Sequence, residues 1–247
     1  MIKLHKFAAC AALFFFSLPT PNAGAAVKGW TNWRGPHQAG HSDATDLPKS
    51  IKLSGAGKNL LWTHDIAGRG HPVIANGRVF TWGYRGKGPD LQEVLLCLNE
   101  VDGKTIWEHG YNDYLSDTVY IRYTVGAPTI DPATGWVYLM TTNGGVKCFD
   151  ANGKMQWEYS LMERFGRLTF PNGRTGAAVI DGDLVIVRGV TSYWGKQGPA
   201  RDRFYAFNKT TGAAVWASTP GVAPKDSSFS TPVLGNVGGR RGFYAGT

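Results

Sequence analysis

The chain has 247 residues, 43% of them hydrophobic, 13% aromatic and 18% charged, with 33 glycines and 13 prolines. That balance excludes a disordered chain, and turn formers scattered between short apolar runs point to strands rather than helices. The 26 Lys and Arg outnumber the 18 Asp and Glu, a formal charge of +8. The bases stand singly among aromatics and glycines, so nucleic acid is not an expected partner, and a protein, a glycan or an envelope surface suits such a chain better.

Residues 1–26 (MIKLHKFAACAALFFFSLPTPNAGAA) contain Lys3 and Lys6, an apolar run from Phe7 to Leu18, a Pro19/Pro21 break and small residues at Ala23, Ala25 and Ala26. This is the layout of a cleaved signal peptide, whose apolar run is too short to span a bilayer. Cys10 lies inside that run and is expected to leave with it. Without Lys3 and Lys6, 24 bases against 18 acids leave +6. The mature chain is expected to be exported, periplasmic or extracellular, with no transmembrane segment.

Residues 27–58 read as an N-terminal strap. In WTNWRGPHQAGHS (30–42), His37 and His41 are four apart, but Pro36 and Gly40 oppose a helix, so a looped segment is expected rather than a metal pair. SGAGKN (54–59) ends like a phosphate loop but lacks its first glycine and the Ser/Thr after Lys58, which leaves a turn.

Residues 59–247 repeat. Cys97-x-Asn99-x-x-Asp102-Gly103-Lys104-x-x-Trp107 returns as Cys148-x-Asp150-x-Asn152-Gly153-Lys154-x-x-Trp157 and as Ala206-x-Asn208-x-x-Thr211-Gly212-Ala213-x-x-Trp216. Trp62, in KNLLWTHDI, carries the tail of the same unit without its head, and the tryptophans are 45, 50 and 59 residues apart. Each unit reads as four short strands. The first has strands near 71–75, 78–84, 93–100 and 105–111, with tight turns at Asn76-Gly77 and Asp102-Gly103, residues that accept positive φ. The second uses APTID, WVYLMTT, GVKCFDA and MQWEYSL, and the third GAAVID with a turn at Asp181-Gly182, LVIVRGV, RFYAFNK and AAVWAST. FSTPVLG and RRGFYAGT begin a fourth. Four-stranded units of this length bury themselves by radial stacking, which predicts an all-β propeller of antiparallel blades. The chain is expected to hold about three and a half blades of a monomeric ring of about seven to eight.

The string Ala-x-Asp/Asn-x-x-Thr-Gly-x-x-x-Trp resembles the tryptophan-docking repeat of quinoprotein-type (PQQ-like) propellers. Ala206 to Trp216 matches it throughout, while the other copies put Cys for Ala and Asp or Asn for Thr. The resemblance implies that Trp107, Trp157, Trp216 and Trp62 fasten blade to blade. Each would stack on the neighbouring blade's motif, whose turn is formed by Asn99 and Gly103, Asp150 and Gly153, or Asn208 and Gly212. Cys97 and Cys148 take the slot of Ala206 and are expected as buried free thiols, since stacked sheets stand ~10 Å apart and a disulfide needs Cα atoms within ~7 Å. Asn208-Lys209-Thr210 is formally a glycosylation sequon, but Asn208 already serves the turn. Trp-x-x-Trp-Arg-Gly-Pro (30–36) resembles the opening of exported proteins of this repeat class. The segment 59–66 is expected to be an outer strand lacking a sheet of its own.

Alternation of strand direction puts the long loops, 85–92, 110–125, 161–174 and 193–202, on one face. Arg122, Tyr123, Arg164, Phe165, Arg167 and Trp194 lie in them and are expected to form a ligand rim. The first functional reading is an exported non-catalytic scaffold, similar to the outer-membrane assembly lipoprotein that shares the repeat, which needs no cofactor. The second is a quinone-dependent alcohol dehydrogenase. Resembling enzymes hold pyrroloquinoline quinone and calcium, with carboxylates, an aspartate base and two adjacent cysteines, and this chain has no Cys-Cys pair and no evident acidic cluster. The third is an extracellular sensor module of a larger protein.

Overall fold

The computed structural model describes residues 27–52, 59–112, 123–165, 176–191, 201–220 and 230–246. Their architecture is almost wholly antiparallel β. Strands β1 (Gly29–Trp30), β2 (Val73–Ala75), β3 (Arg78–Arg85), β4 (Gln92–Asn99) and β5 (Thr105–Asn112) form one sheet in chain order. The second blade is β6 (Thr129–Ile130), β7 (Val137–Met140), β8 (Gly145–Phe149) and β9 (Met155–Ser160). The third is β10 (Val179–Asp181), β11 (Leu184–Thr191), β12 (Arg201–Asn208) and β13 (Ala214–Ser218). A hairpin of β14 (Val233–Val237) and β15 (Arg240–Tyr244) follows.

Local chemistry sets these boundaries. Asn76 and Gly77 turn β2 into β3 with φ of 50° and 73°, the doubly positive geometry of a two-residue hairpin. In the third blade Asp181 pairs with Leu184, so the turn residues are Gly182 and Asp183, one position later than the sequence suggested. The third strand of each blade is covered on both faces, which is why β4 reads as the continuous run VLLCL; the outer β5 alternates, with Trp107, His109 and Tyr111 turned toward the next sheet.

The blades stack face to face, and their contacts are the core. Phe80, Trp82, Leu95 and Cys97 of the first blade meet Ile130, Val137, Leu139 and Phe149 of the second. Across the next interface Tyr138, Met140, Cys148 and Trp157 meet Val185, Val187, Tyr205 and Phe207. Ile186, Phe204 and Ala206 then pack with Trp216 and with Phe243 of the hairpin. On the outer side of the first blade, Trp62 and Ile66 cover Val79, Val94, Leu96 and Leu98. The segment carrying them joins no sheet among the described residues and is followed only by an isolated bridge from Ala67 to Tyr84.

Two elements differ from expectation. The strap is not wholly looped, because Gly29–Trp30 adds a strand to the inner edge of the first blade. Within the loop at 161–174, Leu161–Phe165 forms a one-turn helix, α1. Its start is capped, with the Ser160 hydroxyl accepting the Glu163 backbone N–H at 3.2 Å. The Ser-x-x-Glu spacing of a capping box was legible there.

Candidate functional site

The repeated string folds into one turn used three times. In the first copy the Asn99 N–H donates to Lys104 O at 2.8 Å and the Gly103 N–H to Asn99 O at 2.9 Å. The Asn99 side chain accepts the Val101 N–H at 2.8 Å, Asp150 accepts those of Asn152 and Lys154 at 2.8 and 3.0 Å, and Asn208 accepts those of Thr210 and Thr211 at 3.0 and 2.9 Å. Gly103, Gly153 and Gly212 close the turns with φ of 68°, 85° and 71°.

Onto each glycine lies the tryptophan of the preceding unit. A Cβ added at Gly103 would come within 2.5 Å of the Trp62 ring, one at Gly153 within 2.7 Å of Trp107, and one at Gly212 within 2.6 Å of Trp157. Glycine is therefore required twice over, for its backbone conformation and for the absent side chain. The indole N–H of Trp62 donates to Glu100 O at 2.8 Å, that of Trp107 to Ala151 O at 3.2 Å and that of Trp157 to Lys209 O at 2.9 Å. These carbonyls belong to the residue after each Asx side chain. Trp216 meets no glycine among the described residues and packs against Phe243 and Ala245 of the hairpin that follows.

Register explains how the tryptophan is aimed. Cys97 pairs with Trp107, Cys148 with Trp157 and Ala206 with Trp216, and one residue later each pair of strands slips. The extra residue, Ile106, Gln156 or Val215, bulges the outer strand and turns the indole toward the next blade. The small slot opposite it is filled by Cys or Ala. Both cysteines are free and buried, and burial raises their thiols to about 11 for Cys97 and about 12 for Cys148.

Sequence reasoning missed a second layer of inter-blade bonds. Arg78 also donates to Ala151 O, and the Tyr138 hydroxyl donates to Lys209 O at 3.1 Å, so each of these carbonyls holds two donors from the preceding blade. The Lys209 ammonium then pairs at 3.0 Å with Asp131 of the second blade, their side chains 14% and 2% exposed. Nothing local to Arg78 or Lys209 marks them, since each stands beside a surface turn in the sequence.

The loop face is partly visible. Arg122, Arg167 and Trp194 lie outside the described residues. Arg164 and Phe165 are exposed on α1, with the Arg164 guanidinium over the Tyr159 ring at 5.7 Å and Phe165 stacked on Tyr205 at 4.8 Å. Beside them a polar cavity of about 330 Å³ is lined by Asn143, Lys147, Glu158, Glu163 and Arg164. Lys147 pairs with Glu158 at 2.5 Å and sits over the Tyr111 ring at 4.3 Å. Tyr123 corrects the expected rim: it is 2% exposed and packs on Tyr84. Next to it the buried Glu93 accepts the Thr124 and Thr142 backbone N–H groups at 3.3 and 3.2 Å and the Thr142 hydroxyl, tying the link into the second blade.

Cys97 and Cys148 are buried on separate blades opposite Trp107 and Trp157, and among the described residues no three His, Cys, Asp or Glu side chains converge as a metal site. His37 and His41 are exposed, and His41 pairs with Asp43 at 3.1 Å. Among the described residues no helix is long and apolar enough to cross a membrane.

A family model described as outer membrane protein assembly factor BamB matches residues 43–192 and 91–246. Among solved structures, the quinohemoprotein alcohol dehydrogenase of Comamonas testosteroni is similar at 18% identity and a TM-score of 0.51, over 81% of this chain and 28% of that one. A europium-containing methanol dehydrogenase matches at 19% identity and a TM-score of 0.46, over 65% of this chain and 27% of that one. The BamB protein of Moraxella catarrhalis matches at 13% identity and a TM-score of 0.27, over 62% of this chain and 59% of that one. No curated protein matches the chain. It spans 28% of the length of the first of these structures, whose likeness is one of fold.

Proposed function

Because the chain belongs to the PQQ-repeat propeller family described as outer membrane protein assembly factor BamB, we propose that it is an exported, non-catalytic scaffold binding a protein or glycan of the envelope through its long-loop face. The observation that carries this reading is the ledge of α1, where Arg164 and Phe165 are presented to solvent on a one-turn helix braced by Tyr159 and Tyr205. An exposed aromatic and an arginine on a rigid support are the residue types that anchor protein interfaces. Residues 1–26 supply the export signal in this reading.

The experiment combines Arg164→Glu with Phe165→Ser in the full-length protein expressed in its host. Co-purification of its envelope partner is expected to fall at least tenfold while the thermal midpoint stays unchanged. Retention of the partner by the folded double variant contradicts the reading. The likeness in fold to the Comamonas enzyme keeps a quinone-dependent dehydrogenase as the second reading. Alcohol-dependent dye reduction by the full-length protein, given the quinone and calcium, would favour that reading instead.

A further inference from the structure

The strap does more than add a strand. From β1 it runs across the inner edges of the blades: Val27 N–H donates to Pro132 O at 2.8 Å, and Thr31 O accepts the Ile130 N–H at 2.8 Å. It then reaches the hairpin, where the Gln38 amide donates to Pro232 O at 3.3 Å and accepts the Leu234 N–H at 3.1 Å. Beneath this span, at the short-turn ends of β6 and β10, lies a cavity of about 420 Å³, within the ~300–1,000 Å³ range of small-molecule sites.

Its lining is specific in kind. Ile180 and Leu234 supply apolar walls. Asn32 has a side-chain oxygen with no hydrogen-bond partner, and the hydroxyl of Thr31, a residue 3% exposed, makes no bond among the described residues. Charge in the cavity is already neutralised. The Asp131 carboxylate accepts the Ala133 N–H and the Thr134 hydroxyl, both at 3.0 Å, and pairs with Lys209. An ionic ligand would give up hydration there without meeting an uncompensated countercharge. A neutral ligand with hydroxyl donors and an apolar face meets every requirement, because its O–H groups satisfy Asn32 and Thr31 while its C–H face lies on Ile180 and Leu234.

We infer that the cavity beneath the strap binds a pyranose sugar, free or as the terminal unit of a glycan, at a site separate from the α1 ledge.

The test titrates the purified full-length protein with glucose, galactose, mannose and N-acetylglucosamine by calorimetry, with saturation-transfer NMR as a second readout. At least one hexose is expected to bind saturably, with Asn32→Leu and Thr31→Val each weakening binding at least tenfold at an unchanged thermal midpoint. The trisaccharide ending in the bound unit is then added: competition assigns a glycan terminus, and its absence assigns the free sugar. Absence of saturable binding by every hexose overturns the inference, as does binding that both folded variants retain. Should either variant fail to fold, the NMR experiment on the wild-type protein decides: saturation must pass from the protein to the ring protons of a bound hexose, and its absence overturns the inference. Arg164→Glu is expected to leave sugar binding intact, so failure here is distinguishable from failure of the scaffold reading.

Discussion

Replacing Trp157 by Ala removes the fastener that the structure embeds deepest. Its ring is 9% exposed, lies on Gly212, packs between Tyr138 and Phe207 at 6.0 and 6.4 Å, and donates to Lys209 O at 2.9 Å. Truncating a buried aromatic costs ~3–5 kcal/mol. Loss of the indole hydrogen bond falls at the lower end of its usual ~0.5–1.5 kcal/mol, because Tyr138 still serves the same carbonyl. With a urea slope near ~2 kcal/mol/M, the midpoint should drop by ~1.5–2.5 M. The reciprocal change, Gly212→Ala, drives a methyl to within 2.6 Å of the Trp157 ring at a φ of 71°. It should cost ~1–3 kcal/mol by overpacking in addition to its backbone strain. The two are coupled: in the double variant the ring that clashes is gone, so Gly212→Ala should cost at least ~1 kcal/mol less than it does alone. Strictly additive midpoints, or no shift in Trp157→Ala, would refute ring-on-glycine fastening.

Three other outcomes follow from the same geometry. Cys148→Ala should cost less than ~1.5 kcal/mol in urea denaturation because Ala206 fills the equivalent slot, whereas Cys148→Leu, forced against Trp157, should cost ~1–3 kcal/mol. The folded thiols keep their protons to about 11 and about 12 while unfolded ones release them near 9.0, so the folded state binds more protons above pH 9. Stability should therefore be unaffected below that pH and fall as pH rises through 9 to 12, less steeply in the double Ala variant. Asp131→Ala, which strands the Lys209 ammonium at the blade interface, should cost ~3–5 kcal/mol by thermal or urea unfolding.

The parts of the fold legible in the sequence were those written in local chemistry. Asn76-Gly77 announces a hairpin because both residues accept positive φ, and the spacing from Asn208 through Gly212 to Trp216 marks the turn and the outer strand together. The pairing of the strap with β2 was not legible, because Gly29 and Trp30 carry no strand pattern and their partner lies more than forty residues on. Arg78 and Tyr138 were passed over for a related reason. Their carbonyl partners sit on the next blade, and a lone arginine after a turn looks like a solvated charge. On the loop face, strand alternation assigned a side but not a depth, so Tyr123 was expected at the rim whereas the link folds it against Tyr84. Helix α1 had a readable signal in Ser160 and Glu163 that a search for strands passed over.

The scaffold reading is tested most directly by placing a photo-crosslinking amino acid at Phe165, on the α1 ledge, and separately at Asp183, in a short turn at the other end of the blades, in the full-length protein in its host. Irradiation is expected to trap a discrete envelope protein from position 165 and no protein from position 183. Equal trapping at both positions, or trapping from position 183 alone, would contradict a scaffold that binds through its long-loop face.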